Sequence, residues 1–155
     1  MSGKRYVVLD LFMINAITSN DLNLYFRTGA LLQLIKDKCH KIVLSPSLKK
    51  EYVDRLRKLE RERYGNDRLF KCIKRLLVDS EKISEVYDLA YNITVEIPKK
   101  DQPIVKTALA KSGNTIIITT NRKHLINNTK LQEFLKSHNI IILPLDEALT
   151  EIAKN

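Results

Sequence analysis

Four short β-branched runs constrain this chain more than any other feature: Tyr6–Leu9, Ile42–Leu44, Thr115–Ile118 and Ile140–Leu143, each bounded by polar residues. Runs of this length are too short for buried helices. Continuous Val, Ile and Leu, rather than an alternation of apolar and polar, marks strands covered on both faces, as in a parallel sheet. Between them the apolar period lengthens to three and four. Leu31, Leu34 and Ile35 mark one helix, and Leu48, Tyr52, Leu56 and Leu59 mark a second. A third covers Phe70–Leu77 and a fourth Ile83–Tyr91. Ile104, Val105, Ala108 and Leu109 give a helix before the third strand, and Leu145–Ile152 a terminal one. This alternation predicts an α/β three-layer sandwich with a short, mainly parallel central sheet flanked by helices. In such sheets ligands bind at the carboxyl ends of the strands.

The 155 residues, 44% of them hydrophobic, suffice for one core, so a single domain over residues 1–155 is expected. Cys39 and Cys72 stand far apart with no CxxC or Cys/His pattern, which argues against a disulfide framework or a zinc site. No signal peptide is visible, and the longest apolar runs are far too short to span a bilayer. A soluble, cytoplasmic protein with no membrane partner is expected. The 27 Lys and Arg against 18 Asp and Glu give a net charge of +9, which is compatible with a nucleic-acid partner. The densest charge lies in Arg55–Arg68, where pairs such as Glu51–Arg55 and Asp54–Lys58 would stabilise a solvated helix face and Gly65-Asn66 would separate two helices.

Carboxylates are placed toward one edge of the predicted sheet. YVVLDLF closes the first strand with Asp10. In KIVLSPSLKKEY, Ser45 can cap a helix that starts at Pro46, leaving Glu51 about one and a half turns inside it. DQPIVKTALAKSG opens a helix with Asp101, and the following strand ends in Thr119, Thr120 and Asn121. Taken singly, Asp10 and Asp101 could each cap a helix, Glu51 could lie on a surface and Asn121 could cap a short turn. Taken together they would repel. Two carboxylates about 5 Å apart cost roughly 3 kcal/mol at an effective dielectric near 20, so a cluster calls for a cation. All-oxygen donors without His or Cys suit Mg²⁺ or Mn²⁺.

The ordered motifs YVVLDLF, VLSPSLKKEYVDRL, DQPIVKTALAKSG, IIITTNRKHL and IIILPLDEAL together resemble the PIN domain, a fold of metal-dependent ribonucleases that includes toxin-type members. The resemblance runs from about Lys4 to Ala153. It implies that Asp10, Glu51 and Asp101 are catalytic acids that hold Mg²⁺ or Mn²⁺, with Asn121 in the fourth ligand position and Thr119 or Thr120 supporting the site. It also implies cleavage of single-stranded RNA to 5′-phosphate and 3′-hydroxyl ends. Arg57, Arg61 and Arg122 would hold the strand, and an antitoxin-like or other protein partner and self-association as a homodimer are in keeping with the family. Two positions depart from it. Asn121 brings no charge where relatives carry an acid, and Phe12 stands where many carry a small polar residue.

Other phosphoryl-transfer folds fit less well. A haloacid-dehalogenase type of site needs a second Asp where Phe12 stands, and a response-regulator receiver needs an acidic pair before Asp10. A non-enzymatic PIN-like module that binds RNA or protein is the alternative. Tyr52 and Tyr64 are candidates for base stacking, although Tyr52 also fits the core stripe of its helix. His124, near Asn121, could face a phosphate or simply pack.

Overall fold

The computed structural model describes residues 4–89, 93–111 and 113–154. Five strands, β1 (Tyr6–Leu9), β2 (Lys41–Leu44), β3 (Ile83–Glu85), β4 (Thr115–Thr119) and β5 (Ile140–Pro144), form one sheet in the order β3-β2-β1-β4-β5. Every neighbouring pair is parallel, with Tyr6 opposite Lys41 on one side of β1 and opposite Thr115 on the other. The helices are α1 (Phe12–Asn15), α2 (Leu22–Asp37), α3 (Pro46–Arg61), α4 (Arg68–Val78), α5 (Gln102–Lys111), α6 (Thr129–Lys136) and α7 (Leu145–Ala153). The expected α/β sandwich is therefore present, with a wholly parallel sheet.

The chain starts at the middle of this sheet, builds outward to β3 on one side, then returns to place β4 beside β1 and β5 beyond it. The strand order reverses between β1 and β4. At such a switch point the connections depart in opposite directions and leave a crevice at the carboxyl edge. β4 is buried along its whole length, and Val7, Val8 and Leu9 of β1 are inaccessible to solvent. Helix α5 lies against β1, β2 and β4, while α2 packs beside α4 and α7.

Local sequence sets the helix starts. Asp21 accepts hydrogen bonds from the Asn23 and Leu24 amides at the head of α2, and Asp67 accepts one from the Phe70 amide at the head of α4. Ser45 accepts from the Leu48 amide, and Pro46 is the first residue of α3, as the sequence predicts. Gly65-Asn66 lies in the break between α3 and α4. On α3, Glu51 and Arg55 stand 3.9 Å apart, but Asp54 pairs with Lys50 at 3.0 Å rather than with Lys58.

One expected helix is absent. Ile83–Glu85 is the edge strand β3, held by Ile42, Val43 and Leu44 and by a hydrogen bond from the Val86 amide to the Leu44 carbonyl. The chain from Val86 to Leu89 is irregular, and the end of that expected helix, Tyr91, lies outside the described residues. Helices α1 and α6 and the π-helical turn Arg122–Ile126 are additions to the sequence reading.

A buried histidine ties both chain ends to the sheet. His40 is 3% exposed; its Nδ1 accepts from the Arg5 amide at 3.1 Å, which leaves Nε2 to donate to the Ile152 carbonyl at 3.0 Å. Burial, its largest cause, lowers the pKa of the ring. A base whose folded pKa is depressed stabilises the fold above its unfolded pKa, and that contribution is lost as pH falls. Thermal unfolding is therefore expected to shift downward between pH 7 and pH 5, by about 2–4 °C per kcal/mol lost. His40→Asn, unable to take up a proton, should flatten that part of the profile, and an unchanged slope would remove His40 as its source.

Candidate functional site at the carboxyl edge of the sheet

Asp10 follows the last residue of β1, and its amide donates to the Ile118 carbonyl of β4 at 3.0 Å. Its side chain caps no helix. Oδ1 accepts from the Leu11 amide at 2.8 Å, and Oδ2 accepts from the Thr119 hydroxyl at 2.6 Å. Thr119, fully buried at the end of β4, also accepts from the Asn121 amide at 2.9 Å. One hydroxyl thus fixes the Asp10 carboxylate to the strand across the switch point.

Asp101 ends a 3₁₀ turn, Lys99–Asp101, that runs directly into α5. It is 5% exposed, and its Oδ2 has no hydrogen-bond partner among the described residues. Burial raises its pKa, and the negative charge of Asp10 adds to the rise, while Lys100 and His124 act in the opposite direction. The two carboxylates are thus close enough to sense each other. A buried carboxylate oxygen without a donor is unfavourable in the isolated protein.

Glu51 lies on α3, about one-third exposed and loosely paired with Arg55. Its charge and that of Asp10 both reach the hydroxyl of Tyr52, whose pKa is held well above its ordinary value, first by burial and then by these two acids. Among the described residues, no group of three or more His, Cys, Asp and Glu side chains is gathered closely enough to hold one metal ion. The charge of Asp10 thus reaches Asp101 and, together with that of Glu51, Tyr52.

The other expected residues divide. Thr119 supports Asp10, whereas Thr120 and Arg122 line a separate cleft with Asp21, Arg27 and Asp146. Asn121 caps the turn Arg122–Ile126 by accepting from the His124 amide at 3.1 Å. Arg57 and Arg61 lie on α3 beside an apolar groove floored by Leu56, Phe70 and Leu77. Phe12 is buried in the core. Tyr52 is fully buried, and its hydroxyl donates to the Leu9 carbonyl, so its role is structural rather than base stacking.

One contributor was not singled out from the sequence. Thr107 of α5 donates to the Pro103 carbonyl and is 2.7 Å from the Ser45 hydroxyl, fastening the head of α3 to the helix that Asp101 precedes. A Thr among Ile104, Val105, Ala108 and Leu109 was the available signal. His124, already a candidate from the sequence, is placed where its charge reaches Asp101.

The donor set at the Asp10–Asp101 pair fits a hard divalent cation. Its atoms are carboxylate oxygens, one of them lacks a donor, and the mutual repulsion would be relieved by positive charge. Accordingly, Asp101→Asn is expected to raise the melting temperature in EDTA at pH 7 by about 2–4 °C, equivalent to on the order of 1 kcal/mol. A lowered melting temperature would show that the charge is satisfied in the fold. No protein-family model matches the chain, and no curated protein matches it in sequence.

Proposed function

We propose that the protein is a PIN-like, divalent-metal-dependent endoribonuclease acting on single-stranded RNA. The observation that carries this reading is the partnerless, buried Asp101 oxygen beside Asp10 at the topological switch point. Asp10 and Asp101 would hold Mg²⁺ or Mn²⁺, with Glu51 as a further ligand or as the base that orients water. A bound divalent ion supplies Lewis acidity to the phosphodiester and lowers the pKa of water. Thr119 holds the Asp10 carboxylate in place. Asn121 offers an amide oxygen in the fourth position, already engaged by the His124 amide. Arg57, Arg61 and Arg122, all exposed, would attract the strand. The order of motifs from YVVLDLF to IIILPLDEAL supports the same reading, as does the net charge of +9. An antitoxin-like protein partner and a homodimer are proposed on the resemblance, and a cytoplasmic location on the sequence reading. No helix among the described residues is long and apolar enough to cross a membrane.

The amide of Asn121 in place of a fourth acid favours a second reading, a catalytically weakened module that binds RNA or protein. Incubating labelled single-stranded RNA with the protein in Mn²⁺, Mg²⁺ or EDTA separates the two. The nuclease reading expects cutting only with metal, leaving 5′-phosphates. Binding without cutting in either metal would favour the second.

A further inference from the structure

Helix α4 has two open sides of different chemistry. The side toward α3 has the apolar floor described above, crossed by a Lys74–Glu60 ion pair at 3.4 Å. The side toward α2 is a groove of about 430 Å³ in which Lys36 faces Arg68, Lys71 and Arg75. These four side chains belong to exposed residues, and none of them makes an ion pair or hydrogen bond with a described residue. Arg68, Lys71 and Arg75 recur at three and four residues, a stripe about 10 Å long at a rise of 1.5 Å per residue. The charges of Lys36 and Arg75 both reach the half-buried Cys72 thiol between them.

The neighbouring acids are occupied locally. Asp37 accepts from Gln33, Asp67 from Tyr25 and the Phe70 amide, and Asp79 from the Glu81 amide. Only Asp79 among them lines the groove. Four unpaired cations at one groove repel one another, and a polyanion relieves that repulsion by releasing its own counterions.

We propose that the α2/α4 groove is a binding site for the phosphate backbone of single-stranded RNA, gripped by Lys36, Arg68, Lys71 and Arg75. The substrate class follows from the proposed ribonuclease activity, on which this inference rests. The lining favours a nucleic acid over an acidic protein segment. Apart from Leu76 and Cys72 its lining residues end in polar or charged groups, and no aromatic side chain is among them to anchor a protein partner. The site lies beside β3 at one edge of the sheet, flanking α2 and α4 rather than the carboxyl edge that holds Asp10. It would therefore hold a part of the strand away from the scissile bond.

The test measures binding of a labelled 20-nucleotide RNA to the intact protein in EDTA, between 50 and 200 mM salt. Binding then needs neither metal nor cleavage. Wild type is compared with Lys71→Gln/Arg75→Gln and with Lys130→Gln/Lys136→Gln, which removes the same charge from α6 beside the opposite edge strand. Four phosphate contacts give a slope of log affinity against log salt near about −3, and removing two should reduce its size by about 1.4. The groove variant is expected to bind roughly 10- to 30-fold more weakly near 0.1 M salt, and the α6 variant within about threefold of wild type. RNA should also slow alkylation of Cys72 but not of Cys39, which is exposed.

Equal losses in the two variants, or Cys72 alkylated at the same rate with RNA bound, would overturn the proposal. So would a polyglutamate peptide binding through these residues where RNA does not. If RNA binds the groove but wild type cuts nothing in Mn²⁺, the nuclease reading fails and the groove assignment stands. Cutting that is indifferent to the groove variant, with binding equally indifferent, does the reverse.

Discussion

Asp10→Asn is expected to remove the proposed metal-dependent RNA cleavage, with a loss of about 1,000-fold or more, while leaving the fold intact in EDTA. The reasoning starts from the two bonds that Asp10 accepts. Asn keeps one acceptor oxygen of the same shape, which serves the Leu11 amide, and the Thr119 hydroxyl can rotate to accept from the new amide. The substitution also removes one of two like charges, so the metal-free protein should melt no lower than wild type. What is lost is half of the carboxylate pair. Millimolar Mn²⁺ at about 100 times its dissociation constant would stabilise wild type by about 2.7 kcal/mol, or roughly 5–10 °C in a chain of this size. In Asp10→Asn the shift should fall below about 2 °C. Equal shifts in both proteins would mean that the ion binds elsewhere, and retained cleavage would move the chemistry away from β1.

That Asp10 and Thr119 lie at one edge of the sheet was legible from the strand ends, but which of Thr119 and Thr120 meets Asp10 was not. Once β1 and β4 are read as parallel neighbours, an Asp after one and a Thr at the end of the other fall on the same edge, and here they are 2.6 Å apart. The partnerless state of Asp101 was not legible. The same Asp-Gln-Pro sequence is compatible with a capping Asp, and only the packing of the 3₁₀ turn ahead of α5 buries the carboxylate without a donor. The segment after Lys82 failed for a different reason. Ile83, Val86 and Leu89 repeat every three residues, which imitates a helix, whereas a three-residue edge strand is too short to display its own period of two. Pairing with β2 decides the outcome, and that pairing is a tertiary fact. Asn121 shows the converse: a local capping role was visible in the sequence and is present, while its place as a fourth ligand depends on what gathers around it.

Tyr52 connects the core to the site, and its replacement is expected to have the largest effect on stability. It is completely buried on α3, next to Glu51, and its hydroxyl donates to the carbonyl of Leu9, the residue before Asp10. Tyr52→Ala should cost about 3–5 kcal/mol, the usual range for emptying an aromatic site in a packed core. In a chain of this size that lowers the melting temperature by about 6–20 °C. Tyr52→Phe separates packing from polarity. The ring is retained, so the expected cost is only about 1–3 kcal/mol, arising from a buried carbonyl that has lost this donor. Because that carbonyl belongs to the peptide that leads into Asp10, Tyr52→Phe should also lower the cleavage rate at temperatures where the variant is fully folded, with RNA affinity in EDTA unchanged. This makes Tyr52 a positioning residue, and the split between rate and affinity is the readout that a purely structural role would not give. Full cleavage by a Tyr52→Phe protein destabilised by the expected amount would confine Tyr52 to the core, and stability within about 0.5 kcal/mol of wild type would show that the Leu9 carbonyl is satisfied without it.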